Sequence, residues 1–377
     1  MCMSLLEHQK PVDCCAECLA TTPLTTQKEG IKMGYEQLAR VKLANLPTPL
    51  EELTALRKEI GGPRVFMKRD DLTGLGLGGN KLRKLEFLLG DAIEKGADTI
   101  ITSGDMQTNH GRLTAAACAK MGLDCYLVLT EDDNGVYEGN RILQVLFGAK
   151  QVFCKIDHSV PPEKMAKEHL RAGEERIQEL IEELKAKGKK PYLIPRGGRS
   201  LYGTASYVAA MDELKQQLDA MGVKATHIIA PCATSSTMTG ISLGNRVSGI
   251  RAKVIGAALS RSVEEGKAML TEEFNRDAKT LGYDETITPE EVDIRGDYIG
   301  EGYGIMTEKG KEAMLLFARK EGILLDPTYT SKTASAYIDL VRKGELTEKD
   351  TVVLFHTGGI PLLFTEKMSK WVKAELI

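Results

Sequence analysis

No apolar run in this 377-residue chain approaches the ~18 residues that a membrane-spanning helix requires. The N-terminus lacks the basic-then-apolar order of a secretory signal, so the chain is expected in the cytoplasm. Neither sign of charge dominates: 50 basic residues stand against 53 acidic ones, well mixed, for a formal charge of −3. That excludes the electrostatic footprint of a nucleic-acid or membrane-surface binder and leaves small molecules as the expected partners. Internal repeats and low-complexity tracts are missing too. The eight cysteines read as reduced thiols rather than a disulfide framework in a long chain with no secretory signal. Cys118, Cys125, Cys154 and Cys232 sit inside apolar stretches and read as core packing. Cys14, Cys15 and Cys18, with Cys2 and His8 nearby, fall in an N-terminal extension, residues 1–40. Their Cys15-x-x-Cys18 pair lacks the second, similarly spaced pair of a zinc site, so no metal is expected.

A hydrophobic content of 42% lets a chain of this length bury a sizeable core in two or three lobes. Short β-rich runs at 99–102, 125–129, 151–154, 192–194, 227–230, 254–258 and 352–355 are bounded by turns and separated by helix-length segments. This alternation predicts an α/β fold of βαβ units, with parallel sheets flanked by helices. The charged stretch from Pro162 to Lys190 predicts one long exposed helix.

Leu82, Leu85, Leu88 and Leu89 recur at helical spacing, so the segment from Asn80 onward reads as a helix with Lys81 in its first turn, just after Gly78-Gly79. That geometry aims an amine into whatever cleft the glycine loop borders, and Lys84 shares its face. A second loop, Pro231-Cys232-Ala233-Thr234-Ser235-Ser236-Thr237, follows a predicted strand and opens a helix. Its backbone N–H groups and dipole make it an anion site, with Thr234 to Thr237 as the phosphate cup.

Lys68-Arg69-Asp70-Asp71, Gly79-Asn80-Lys81-Leu82-Arg83-Lys84-Leu85-Glu86, Gln107-Thr108-Asn109-His110, Glu301-Gly302-Tyr303-Gly304, the run Glu321 to Tyr329 and His356-Thr357-Gly358-Gly359 occur in the order and spacing of one family. On these motifs, over residues 40 to 365, the chain resembles the D-cysteine desulfhydrase and 1-aminocyclopropane-1-carboxylate deaminase family of fold-type-II, tryptophan-synthase-β-like enzymes. The resemblance implies pyridoxal 5′-phosphate between two lobes, a large one from 41–84 and 201–377 and a smaller one from 85–200, in a homodimer. It implies Lys81 as the Schiff-base lysine and the base at Cα, with Lys84, Asn109, Thr234, Ser235, Ser236, Thr237, Thr330 and Thr357 around the cofactor. Tyr303 and Tyr329 would act at the substrate, and Thr108, Asn109, His110 and Arg199 would bind it.

Departures from the family bear on chemistry. The loop at 234–237 carries serine and threonine where the family is glycine-rich, which forgoes glycine's freedom at positive φ. Threonine at 330 and 357, where the deaminases have glutamate and leucine, leaves the pyridine ring a weaker electron sink and disfavours cyclopropane opening. The implied reaction is β-elimination from a cysteine-like amino acid, giving pyruvate, ammonia and the leaving group. Arg199, with Asp105 and Thr108, leaves open an anionic leaving group such as the sulfonate of L-cysteate. A non-catalytic relative that binds the cofactor or an amino acid is the third alternative.

Overall fold

The computed structural model describes residues 34–161 and 164–377. Its larger sheet has six strands in the order β1 (Leu50–Glu52), β2 (Arg64–Arg69), β10 (Thr351–His356), β7 (His227–Cys232), β8 (Lys253–Ala258) and β9 (Asp293–Arg295), all parallel except β1. A four-stranded, fully parallel sheet has the order β5 (Lys150–Phe153), β4 (Asp124–Leu129), β3 (Thr99–Gly104) and β6 (Pro191–Leu193).

Alternation along the strands explains why helices cover both faces. Ile228 and Ala230 of β7 join one core with Tyr207, Met211 and Leu214 of α6 (Leu201–Ala220), Ile241 of α7 (Ser236–Val247) and Phe274 of α8 (Val263–Thr280). Ile229, between them, faces a second core with Phe317 of α9 (Glu308–Glu321) and Tyr337 of α10 (Thr330–Arg342). In the smaller sheet Ile100, Leu127 and Leu129 pack on Leu82, Leu85 and Leu88 of α2 (Lys81–Glu94) and Leu113 of α3 (Asn109–Met121). Ile101 and Val128 pack on α5 (Met165–Ala186).

Each predicted strand forms, and three were not foreseen: β1, β2 and β9. The long charged segment forms α5, but it is not an exposed helix. Ala172, Ile177, Leu180 and Leu184 are buried on one face, so its charges cover only the solvent side. Cys118, Cys125, Cys154 and Cys232 are free and buried, while the N-terminal cysteines and His8 lie outside the described residues. Because the strands other than β1 run parallel within their sheets, the carboxyl ends of β3, β4, β6, β7, β8 and β10 all lead into residues lining one cavity of about 700 Å³.

Candidate active site

The chain reaches Lys81 through a loop that only glycine can make. Gly78 has φ +65°, and a Cβ there would run into the Asp71 carbonyl. Arg112, fully buried, clamps this loop, donating from Nη2 to Gly78 O at 3.0 Å and from Nη1 to Gly76 O. The Asn80 N–H donates to Thr357 O at 3.0 Å, tying the loop to the end of β10. Asn80 also donates from Nδ2 to Thr237 Oγ1 at 3.1 Å and accepts from Lys81 Nζ at 3.2 Å. It thereby couples the lysine to the start of α7, a role its place in the Gly-Asn-Lys motif did not reveal.

Burial brings the Lys81 amine down to about 8. Lys84, one turn on, is buried with Nζ on Ser236 Oγ at 2.9 Å and Gly197 O at 3.3 Å. Burial, and then the charge of Lys81, hold it well below the ordinary lysine range. Among the described residues no carboxylate pairs with it.

The loop between β7 and α7 forms a γ-turn: Ser236 N–H donates to Thr234 O at 3.0 Å across Ser235, whose φ is +63° and ψ −56°. This positive-φ form is rare and strained, costing on the order of 1–3 kcal/mol in a residue with a side chain. Ser235 therefore adopts a backbone conformation that the missing glycine would have made easy. Its hydroxyl bonds Glu273 of α8 and lies 2.7 Å from Thr234 O, so as a phosphate ligand it offers backbone rather than hydroxyl. Thr234, Ser235 and Thr237 line the cavity; Ser236 lies behind it, holding Lys84. Past the turn, the N–H groups of Thr237 and Met238 stand where a helix supplies no acceptor of its own.

Tyr303 and Tyr329, 26 residues apart, meet hydroxyl to hydroxyl with their rings edge to face, centroids 5.8 Å apart. Lys332 of α10 holds the Tyr303 loop by donating to Ile299 O at 2.7 Å and Gly302 O at 2.9 Å. Burial, then Tyr303 and Asp105, push the Tyr329 phenol well above its ordinary range, so it stays protonated. Thr357 lines the cavity, but Thr330 does not. The Thr330 hydroxyl is engaged by the buried Asp326 carboxylate at 2.7 Å, which also accepts from the N–H groups of Thr328, Tyr329 and Thr330 at the start of α10. In this arrangement the Thr330 hydroxyl is turned to Asp326 and away from the cavity.

On the other side Thr108, Asn109 and His110 all line the cavity. Thr108 caps α3, its Oγ1 accepting from Gly111 N–H at 3.2 Å. Asn109 Oδ1 accepts from Asn140 at 2.9 Å, and Asn140 in turn accepts from Arg112 at 2.7 Å, which links α3 to the Lys81 loop. His110 Nε2 lies 3.1 Å from Thr102 Oγ1, whose own hydrogen goes to Ile194 O at 2.8 Å. The proton therefore sits on Nε2, and Nδ1 is a buried lone pair with no protein partner. Burial, then Lys81, Lys84 and Arg196, keep this ring neutral.

Arg199 does not line the cavity; it pairs with Glu273. Two other guanidinium groups do: Arg196, donating to Thr130 Oγ1 at 3.1 Å and 3.5 Å from Asp105 Oδ2, and Arg261, donating to Ala233 O at 2.6 Å. Burial raises the Asp105 carboxyl against the opposing pull of Arg196. Between Arg196 and Arg199, Gly197 and Gly198 both take φ +67° and turn the chain, sending one side chain in and the other out.

A half-buried amine with no carboxylate partner, a strained turn offering N–H groups and a second amine of lowered basicity together fit a ligand with a phosphate and a carbonyl. A family model for pyridoxal-phosphate dependent enzymes matches residues 41–358. The chain belongs to this family. It is 35% identical over 333 residues to a D-cysteine desulfhydrase of Yersinia enterocolitica, covering 87% of this chain and 96% of that one. A D-cysteine desulfhydrase of Klebsiella pneumoniae is 36% identical over 330 residues, 86% and 95% of the two chains. The crystal structure of an ACC deaminase homologue superposes with a TM-score of 0.77 at 36% identity, covering 90% of this chain and 97% of that one. The resemblance and the fold type expected from the motifs are thus borne out, and the protein is an enzyme whose cofactor is pyridoxal phosphate.

Proposed function

We propose that the enzyme is a β-elimination lyase for a cysteine-like amino acid, releasing the leaving group and an aminoacrylate that water hydrolyses to pyruvate and ammonia. The observation that carries this reading is a lysine amine of lowered basicity sharing one cavity with a paired, protonated phenol couple. Pyridoxal phosphate, when bound, supplies a carbonyl for the substrate amine and a conjugated ring to take up the electrons of the Cα–H bond. Lys84 and the α7 turn hold its phosphate, and Asn109 and Thr357 border it.

The start of α3, with Thr108 and Asn109, receives the substrate carboxylate at the positive end of the helix. Lys81 holds the Cα proton after its removal. As the bond from Cβ to the leaving group breaks, the electron pair departs with that group, and Tyr303 and Tyr329 give it a proton. The His110 lone pair, unable to carry charge, accepts a hydrogen bond from the substrate or Lys81 without competing for the Cα proton.

A second reading, elimination of sulfite from L-cysteate, is favoured by Arg196 in the cavity. Asp105 beside it offsets that charge and favours the cysteine-like substrate. Pyruvate release from D-cysteine, β-chloro-D-alanine and L-cysteate, in the parent and in Arg196→Ala, separates them. The first reading expects D-cysteine to lead and the variant to lose little; the second expects L-cysteate to lead and to fall roughly 10–100-fold, the value of one charge-assisted contact. Failure of all three substrates would reject both.

We also propose the division into lobes of 41–84 with 201–377 and of 85–200, supported by a smaller sheet whose strands all fall within 99–193. A homodimer is supported by exposed Leu77, Ile142, Val145, Leu146 and Phe364, apolar surface of the kind that marks an interface. Buried, unbridged Cys118 and Cys125 support a reducing cytoplasmic setting. Among the described residues no helix is long and apolar enough to cross a membrane.

A further inference from the structure

Glu273 lies 38 residues from the phosphate loop, on α8, and is 1% exposed. One of its oxygens contacts the Ser235 hydroxyl and lies 3.3 Å from Thr239 Oγ1, in the first turn of α7. The other pairs with Arg199, which balances the carboxylate's charge from the side away from the cavity. A buried acid beside a phosphate site is unfavourable for the phosphate unless it does something else there. What it touches is the one residue of the loop whose backbone is strained, Ser235 at φ +63°.

We infer that Glu273 is a positioning residue for cofactor binding: it grips the Ser235 side chain and so holds the γ-turn that aims the N–H groups of α7 at the phosphate. In a chain with glycine at 235 the turn would need no such grip, because glycine populates positive φ freely. Serine supplies a handle, Glu273 holds it, and Arg199 keeps that acid compensated. This assigns Arg199 to the cofactor end of the site through Glu273, in place of a substrate contact. The inference rests on the reading that the phosphate lies at the start of α7.

The test is a coupling measurement on apoprotein titrated with pyridoxal phosphate and followed by absorbance, so that affinity is read without turnover. With Ser235 present, Glu273→Ala should raise the Kd by about 10-fold or more, the scale of one strained residue released. Combined with Ser235→Gly, the same substitution should raise it less than about 2-fold, the margin within which uncoupled sites add. Glu273→Gln, whose amide oxygen can still accept the hydroxyl, should recover most of the lost affinity. If Glu273→Ala does not fold, Ser235→Gly should restore folding, and its failure to do so contradicts the inference. An equal penalty with serine and with glycine, or no penalty in either, also overturns it. A parent that binds no pyridoxal phosphate would reject the phosphate assignment itself, whereas normal parent binding without coupling rejects only the role of Glu273.

Discussion

Helix α2 carries three cations in its first four residues, and its two sides treat them in opposite ways. Arg83 faces away from the cavity and is fully neutralised: its guanidinium takes both oxygens of Asp70 at 3.0 Å and both oxygens of Glu213 at 2.8 and 3.0 Å. Lys68 joins the same network through Glu213 and Thr48 O, and Tyr207 donates to Asp70 at 2.6 Å. Burial pushes the Glu213 carboxyl up, but Arg83 and then Lys68 outweigh it and hold it at about 2. Lys81 lines the cavity with Lys84 behind it, and both hydrogen-bond only to neutral oxygens, the charge of Glu273 easing the burial of Lys84 only in part. The cost of burying their charge is left standing, and it shows as lowered basicity. A paired buried cation is scaffold; an unpaired one is a site prepared for an anion or a carbonyl.

Breaking the paired cluster should give the largest effect. Arg83→Met strands the buried Asp70 carboxylate and leaves Glu213 only Lys68, and apoprotein stability should fall by about 3–5 kcal/mol in a denaturant titration. Removing the neighbouring cation should do something different in kind. Lys84→Met should leave apoprotein stability unchanged or higher, yet weaken pyridoxal phosphate binding by roughly 10–100-fold, equivalent to 1.5–3 kcal/mol for a charge-assisted contact. Should both substitutions destabilise the apoprotein equally, the contrast between the two faces would be lost.

A smaller effect sharpens the comparison through pH. The folded-state pKa of Lys81 is lowered to about 8, while the unfolded chain keeps the ordinary lysine value near ~10.4. Between those two values the unfolded state binds more protons, so this group makes stability rise with pH through the window and contributes no slope below it. The stability difference between parent and Lys81→Met apoprotein should therefore move in favour of the parent from pH ~8 to ~10. Measured denaturation free energies at pH 7, 8, 9 and 10 decide this, and a flat difference would mean the amine is not desolvated.

The helix that presents Lys81 was legible because the apolar spacing of Leu82, Leu85, Leu88 and Leu89 and the preceding glycines are local signals. The charges interleaved with them were not separable by sequence, since a buried network and a solvated helix face use the same residue types. For the same reason β2 went unseen: its ends, Arg64, Lys68 and Arg69, look solvent-facing, yet Lys68 is fully buried against Glu213 and Gln217 of α6. Arg196 lines the cavity where Arg199 was expected, because the direction of a side chain across two positive-φ glycines is set by the turn. Thr330 read as a cofactor ligand by alignment with a motif, while Asp326, four residues earlier, already claims its hydroxyl. Glu273 gave no signal at all: it sits in the charged run Glu272-Glu273-Phe274-Asn275-Arg276-Asp277, and only tertiary packing brings it to Ser235.

The central claim is that two lysines three residues apart have divided the work, Lys81 bonding the carbonyl and Lys84 holding the phosphate. Borohydride reduction of the cofactor-loaded protein, followed by peptide mass analysis, tests this most directly. The account predicts the pyridoxyl group on Lys81 in the parent and no fixation at Lys84 when Lys81 is replaced by Met. A pyridoxyl group on Lys84, or on any lysine other than Lys81 in the parent, would contradict it.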